Sequence, residues 1–234
     1  MTTFAQLYPA EAADRDCLDP GLAQAVLDNG RWHRLVILGD SVAAGVRDPL
    51  EGYRDLSAGE RLVEALAATR PEFRHRTLAQ PFLRTAEIRE KFLSDALAFE
   101  PDLVVVSAGG NDAFSRGFDA ERFTAELDAL LRPLASTGAT VATIGLYDWA
   151  HSGLLPAETA TETALRLDEV DSVQRHVVEG VGGIHLGARR IAAGRDPAIY
   201  SADRIHANAR GQAIAFANVV RHLSAYRAVP DWLR

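Results

Sequence analysis

Along this chain, short aliphatic runs alternate with longer stretches in which apolar residues recur every three or four positions. The run LVIL at residues 35–38 is too short and too continuously apolar for an amphipathic helix, so it predicts a strand buried on both faces. The segment DLSAGERLVEALAATRP then predicts a helix. Ser57 and Glu60 have capping-box spacing, Leu62, Ala65, Leu66 and Thr69 share one face, and Pro71 follows the end. A weak strand is expected near residues 77–79, followed by a helix over about 85–99. A second aliphatic run at 103–106 predicts another strand. Beyond it Asp119 is a candidate N-cap for a helix with Phe123, Leu127, Leu130, Leu131 and Leu134 along one stripe. A third strand is expected over 141–146, a loop over 149–157, a long helix to about 179, a short strand in GGIHL and a last helix over about 208–226. Before the first strand, PGLAQAVLDNG has a short helical pattern that Gly30 is placed to cap.

Strands that alternate with helices predict a parallel sheet covered on both faces, an α/β fold. No repeat or low-complexity linker divides the sequence. It reads as one domain over residues 34–227, with 1–33 as an extension packed on it and 228–234 as a tail. Parallel sheets bind ligands beyond the carboxyl ends of their strands. Three strands deliver polar residues to that rim here: Gly39-Asp40-Ser41, Gly109-Gly110-Asn111-Asp112 and Tyr147-Asp148.

Composition narrows the chemistry. The 234 residues are 47% hydrophobic and 24% charged, enough for a large core without staples. The net charge of −7 is spread along the chain with no basic stripe, which argues against a nucleic-acid partner. Lys91 is the sole lysine, so a phosphate loop of the GxxxxGK[ST] type is excluded and lysine-based covalent catalysis is disfavoured. Cys17 is the sole cysteine, and no Cys/His spacing suggests a zinc cage. The start MTTFAQLYPAEAADRDC lacks the basic and apolar blocks of a signal peptide, and no apolar run approaches the ~20 residues of a membrane span. A cytoplasmic location is the expectation.

A serine nucleophile needs a base within hydrogen-bond reach and a third group to orient that base. Ser41, at the end of the first strand, is the candidate nucleophile. Of seven histidines, His33 and His75 lie in polar surroundings, His176 and His222 in helical patterns, and His185 in a strand-like run that suits a core histidine. His151 flanks a strand-end loop and stays open. His206 stands out because Asp203 precedes it by three residues in YSADRIHANARGQA. In a tight turn that spacing lets the carboxylate accept from Nδ1–H and leaves Nε2 free to take a proton. Asn111 has a side-chain amide suited to an oxyanion. Asp40 reads as a turn-former, and GDSVA is not the G-x-S-x-G elbow.

Taken in order, GDS after one strand, GGND after another and DxxH near the C-terminus resemble the SGNH hydrolases, also called GDSL esterases/lipases, over about residues 34–223. The resemblance implies a flavodoxin-like three-layer α/β/α sandwich with a central parallel sheet. It implies a cofactor-free serine esterase acting on a small-molecule acyl ester, with Ser41 as nucleophile, His206 as general base and Asp203 orienting it. The oxyanion donors it implies are the Ser41 amide, the Asn111 side chain and the amide at position 82. That last position departs from the family pattern NxxxxG: TLAQPFLRT puts Thr77 at the asparagine and Phe82 at the glycine. A backbone N–H survives this change, but the ring needs space and the glycine conformation is no longer free. Tyr53 and Arg54, in the loop-like DPLEGYRDLS, are weak candidates for substrate contact. Two other readings remain at this point: a binding protein that has lost catalysis, motivated by Phe82, and a metal-dependent phosphoesterase, for which no D-x-H or second histidine cluster is present.

Overall fold

The computed structural model describes residues 2–28 and 32–228. In chain order its elements begin with the short helices α1 (Phe4–Leu7), α2 (Pro9–Ala13) and α3 (Pro20–Leu27). Strand β1 (Arg34–Gly39), helix α4 (Ala58–Ala67), strand β2 (Arg74–Ala79) and helix α5 (Thr85–Ala98) follow. Next come β3 (Leu103–Ser107), the single turn α6 (Gly110–Ala113), α7 (Ala120–Ala135) and β4 (Thr140–Ile144). The chain continues with α8 (Ala157–Gly180), β5 (Ile184–Leu186) and α9 (Ala209–Ala228).

The five strands form one sheet in the order β2-β1-β3-β4-β5, with every pairing parallel. This is the flavodoxin-like order, whose switch point lies between β1 and β3. Alternation along the strands feeds two cores. Val36, Leu38, Val104 and Val106 pack in the core that holds the α7 stripe and the inner faces of α5 and α8, whereas Leu35, Ile37, Leu103 and Val105 pack with residues of α3, α4 and α9. The result is the three-layer α/β/α sandwich that the sequence resemblance implied. Among the described residues no helix is long and apolar enough to cross a membrane.

Local chemistry explains most elements. Ser57 and Glu60 close a reciprocal capping box on α4, and Asp119 caps α7, whose buried face is Phe123, Leu127, Leu130, Leu131 and Leu134. Two boundaries moved. β2 starts at Arg74 rather than near Thr77 because it pairs along the full length of β1, with Arg74 opposite Arg34. It is an edge strand whose first four residues are exposed, so it carries little apolar signal. β4 stops at Ile144 rather than Leu146. The Gly145 N–H still donates to Leu186 O at 3.1 Å, and a Cβ there would meet Ala188 N and Gly187 Cα at 2.9 Å, so the strand ends against the segment that follows β5. The helices α1 and α2 are too short to show periodicity. Gly30, expected to cap α3, and residues 229–234 of the expected tail lie outside the described residues.

Candidate active site

Ser41 follows β1 through a tight passage. Gly39 has φ +148°, and a Cβ there would lie 2.0 Å from the Ser107 carbonyl oxygen of β3, so only glycine fits. Asp40 then bends the chain: its N–H donates to Ser107 O at 3.2 Å, and its Oδ1 accepts from the Val42 N–H at 3.0 Å and the Ser107 hydroxyl at 2.9 Å. Burial pushes the Asp40 carboxyl up to about 6, against the hydrogen bonds from Ser107 and the Val42 and Ala43 amides that favour the charged form. Its expected role as turn-former matches these bonds. Ser41 is thereby held at the switch point between β1 and β3.

His206 reaches Ser41 from the end of the long connection between β5 and α9. Asp203 Oδ1 accepts the Ile205 and His206 amides at 2.9 and 3.0 Å, and its Oδ2 lies 2.6 Å from His206 Nδ1. His206 Nε2 lies 2.7 Å from Ser41 Oγ, across 165 positions of sequence. Partial burial pushes the Asp203 carboxyl up, but the bonds from His206 and the two amides outweigh it and hold the group below its ordinary value. The D-x-x-H turn therefore does locally what the sequence spacing predicts. Asp48 clamps the loop, a part that sequence reasoning missed. Its carboxylate accepts the Ala202 amide at 2.7 Å, its N–H donates to Ser201 Oγ at 2.9 Å, and its carbonyl accepts the Ala209 amide at 3.0 Å. The loop-like DPLEGYRDLS begins at Asp48 but carries no mark of this distant partner.

Phe82 and Asn111 face Ser41 across one cavity of about 300 Å³. Phe82 has φ +70°, the left-handed region that glycine occupies freely, and the residue is 82% exposed. The position thus keeps a glycine-like backbone without a glycine, at a cost of roughly 1–2 kcal/mol, and the ring goes to solvent. Among the described residues neither the Ser41 nor the Phe82 N–H has a hydrogen-bond partner. Asn111 Nδ2 donates to Leu83 O at 3.0 Å, which occupies one of its two N–H groups and fixes the amide plane. Asp112, next in the chain, accepts the amide and hydroxyl of Thr85 at 3.0 and 2.9 Å and ties α6 to the start of α5.

Other candidates lie elsewhere. Tyr53 and Arg54 do not line the cavity: the Tyr53 hydroxyl donates to Asp14 Oδ2 at 2.9 Å, and Arg54 pairs with Glu11 and Glu64. Both anchor the N-terminal segment, because the loop carrying them turns toward α2 and away from the sheet rim. His151 Nδ1 lies 2.7 Å from Asp148 Oδ1, and Asp148 also pairs with Arg189 and Arg195. His185 is buried between Thr143 Oγ1 and Asp171 Oδ1, each at 2.9 Å, as expected of a core histidine. From the third strand end, Tyr147 lines the cavity and Asp148 does not. No group of three or more metal-ligating side chains occurs among the described residues.

A parallel sheet of this order between two helical layers is a three-layer α/β/α sandwich, and Ser41, His206 and Asp203 lie in line at its switch point. Residues 37–214 match the model of the GDSL-like lipase/acylhydrolase family, and the chain belongs to that family of ester-bond hydrolases. Among solved structures it is similar to Axe2, an acetylxylan esterase from Geobacillus stearothermophilus, with a TM-score of 0.66 and 17% identity over 86% of this chain and 96% of the other. It is also similar to LAE5, an α/β hydrolase from the metagenome of Lake Arreo, with a TM-score of 0.63 and 22% identity over 83% of this chain and 95% of the other. Catalytic mutants of Axe2 carry an alanine in place of a serine, an aspartate or a histidine. No curated protein matches the sequence.

Proposed function

We propose that the protein hydrolyses a small-molecule acyl ester through an acyl-enzyme on Ser41. The observation that carries this reading is the continuous line Ser41 Oγ, His206 Nε2, His206 Nδ1, Asp203 Oδ2, with contacts of 2.7 and 2.6 Å at its two links. With the Nδ1 proton donated to Asp203, Nε2 is left as an acceptor for the serine hydroxyl proton. As Ser41 Oγ bonds to the carbonyl carbon, His206 takes the proton and then gives it to the departing alkoxide. Water adds to the acyl-enzyme by the same proton path and returns Ser41 with release of the acid. Asp203 keeps its charge throughout and stabilises the imidazolium.

The tetrahedral oxyanion in this reading is held by the Ser41 and Phe82 amides and by the second N–H of Asn111. The unpaired amides and the left-handed backbone at Phe82 support this assignment, since strained conformations persist where the surroundings impose them. A backbone donor at this position depends on φ and ψ, not on the side chain. The reading takes 34–227 as the hydrolase unit and 1–33 as an extension, involves no cofactor, and is in keeping with the Ser, Asp and His positions altered in the Axe2 catalytic mutants.

Hydrolysis of p-nitrophenyl acetate by wild type, Ser41→Ala and Asp203→Asn tests it. The expected result is loss of about 10³-fold or more in kcat for each variant, because members of such a unit act together. A Ser41→Ala variant as fast as wild type would rule the mechanism out.

A further inference from the structure

The turn that carries His206 is closed on itself. The Ser201 N–H donates to His206 O at 2.7 Å, the Arg204 N–H donates to Ser201 O at 2.8 Å, and Tyr200 bridges Ala207 as an antiparallel pair. With the bonds to Asp203, these contacts orient the imidazole within its own turn. They do not tie the turn to Ser41. Residues 202–205 are all exposed, so packing gives the turn little hold. Its direct bond to the nucleophile is the one from Ser41 Oγ to His206 Nε2 at 2.7 Å. An acylated Oγ has no proton to share, so that bond is gone when His206 must take a proton from water. For the second half of the reaction the imidazole has to be held from elsewhere.

The segment that follows Ser41 supplies such a hold. It leaves β1 in tight turns, with the Ala44 N–H on Asp40 O at 2.9 Å and the Val46 N–H on Ser41 O at 3.0 Å. Arg47 pins it beside the start of α4: Nη1 donates to Gly45 O at 2.9 Å and pairs with Glu60 at 3.0 Å, and Nε donates to Asp55 Oδ1 at 2.7 Å. Asp48 comes next, and its bonds reach both sides of the histidine, to Ser201 and Ala202 before it and to Ala209 after it. Trp149 braces the turn from the other side, its Nε1 donating to Arg204 O at 2.7 Å, but Trp149 also lines the cavity. Asp48 does not, so its effect on the reaction is separable from substrate contact.

We propose that Asp48 is a positioning residue for ester hydrolysis, which keeps His206 in place for deacylation. The proposal rests on the acyl-enzyme at Ser41 described above. The carboxylate acts through the Ala202 amide, next to Asp203, while the N–H and carbonyl of Asp48 keep their bonds in any variant but proline. Misplacing a catalytic group by about 1 Å costs up to about 100-fold in rate.

The test measures p-nitrophenyl acetate hydrolysis, with its pre-steady-state burst, for wild type, Asp48→Ala, Asp48→Asn and Ser201→Ala. In Asp48→Ala kcat falls about 10- to 100-fold. The fall in kcat/KM is smaller, and the burst approaches one p-nitrophenol per enzyme as acyl-enzyme accumulates. Asp48→Asn keeps an acceptor for the Ala202 amide and recovers kcat to within about threefold of wild type. Ser201→Ala removes the acceptor of the Asp48 N–H and shows the same kinetic pattern as Asp48→Ala. Urea unfolding establishes that each variant is folded in the assay; if Asp48→Ala is not, Ser201→Ala carries the test. Unchanged kcat per folded molecule overturns the proposal, leaving Asp48 a purely structural role. A fall in kcat/KM as large as that in kcat overturns it too, and so does an Asp48→Asn variant as slow as Asp48→Ala. These failures leave hydrolysis dependent on Ser41, whereas failure of the acyl-enzyme reading would show as hydrolysis insensitive to Ser41→Ala.

Discussion

Replacing Asp40 by asparagine isolates what it costs to keep a carboxylate beside Ser41. Oδ1 accepts both the Val42 amide and the Ser107 hydroxyl, and an asparagine oxygen can accept both in the same place. Burial raises the group from an ordinary 3.8 to about 6. A raised carboxyl pKa means that the folded state holds its proton longer than the unfolded chain does. Below pH 3.8 both states are protonated and ionisation has no effect on stability. As pH rises the unfolded chain releases its proton first, so stability falls and levels off once the pH passes about 6. At 1.36 kcal/mol per pH unit this loss totals about 3 kcal/mol, of which about 2 kcal/mol develops between pH 4.5 and 8. The assay is urea unfolding of wild type and Asp40→Asn across that range. Relative to wild type the variant gains about 2 kcal/mol from pH 4.5 to 8, or about 1 M in urea midpoint for an m-value near 2 kcal/mol/M. The Ala43 amide, which also bonds this carboxylate, adds an offset that does not change with pH. A stability difference constant to within about 0.5 kcal/mol from pH 4.5 to 8 would refute the argument.

Two further outcomes follow from strain and burial. Phe82 holds φ +70° with its ring in solvent, so Phe82→Gly is more stable than Phe82→Ala by up to about 1 kcal/mol in urea unfolding, the reverse of the usual order; an alanine variant more stable than the glycine one would mean that the backbone there is unstrained. Glu11 and Arg61 pair with side chains each 1% exposed, so Glu11→Gln costs about 3 kcal/mol at neutral pH by leaving Arg61 short of its counter-charge. Burial pushes Glu11 up, but its bonds to Arg61 and Arg54 outweigh this and hold it below 4.5; the ionised pair therefore stabilises the fold above pH 4.5, and that contribution fades as pH falls through the lowered value. A thermal unfolding difference below about 1 kcal/mol at pH 7 would contradict it.

The chain's own pattern determined the features that depend on a few neighbouring residues. Continuous aliphatic runs made β1 and β3 legible, because strands buried on both faces need apolar residues at every position. Serine and glutamate three apart marked the start of α4, and five apolar residues at helical spacing marked the inner face of α7. The D-x-x-H turn was equally local, since Asp203 and His206 bond across three residues. Tertiary structure decided what depends on residues far apart in sequence. The exposed strand β2 exists over its full length through its ladder to β1 and not through apolar content. Tyr53 and Arg54 look like pocket residues in the sequence, yet they are bound by Asp14, Glu11 and Glu64. Asp48 gives no sign in the sequence that it fixes the histidine loop 153 positions away. The cavity beside Ser41 is invisible one residue at a time, because the residues that line it come from segments far apart in sequence. Local patterns record which face of an element is buried. Which groups then meet across 165 positions is set by strand order and packing, and that contact puts His206 within reach of Ser41.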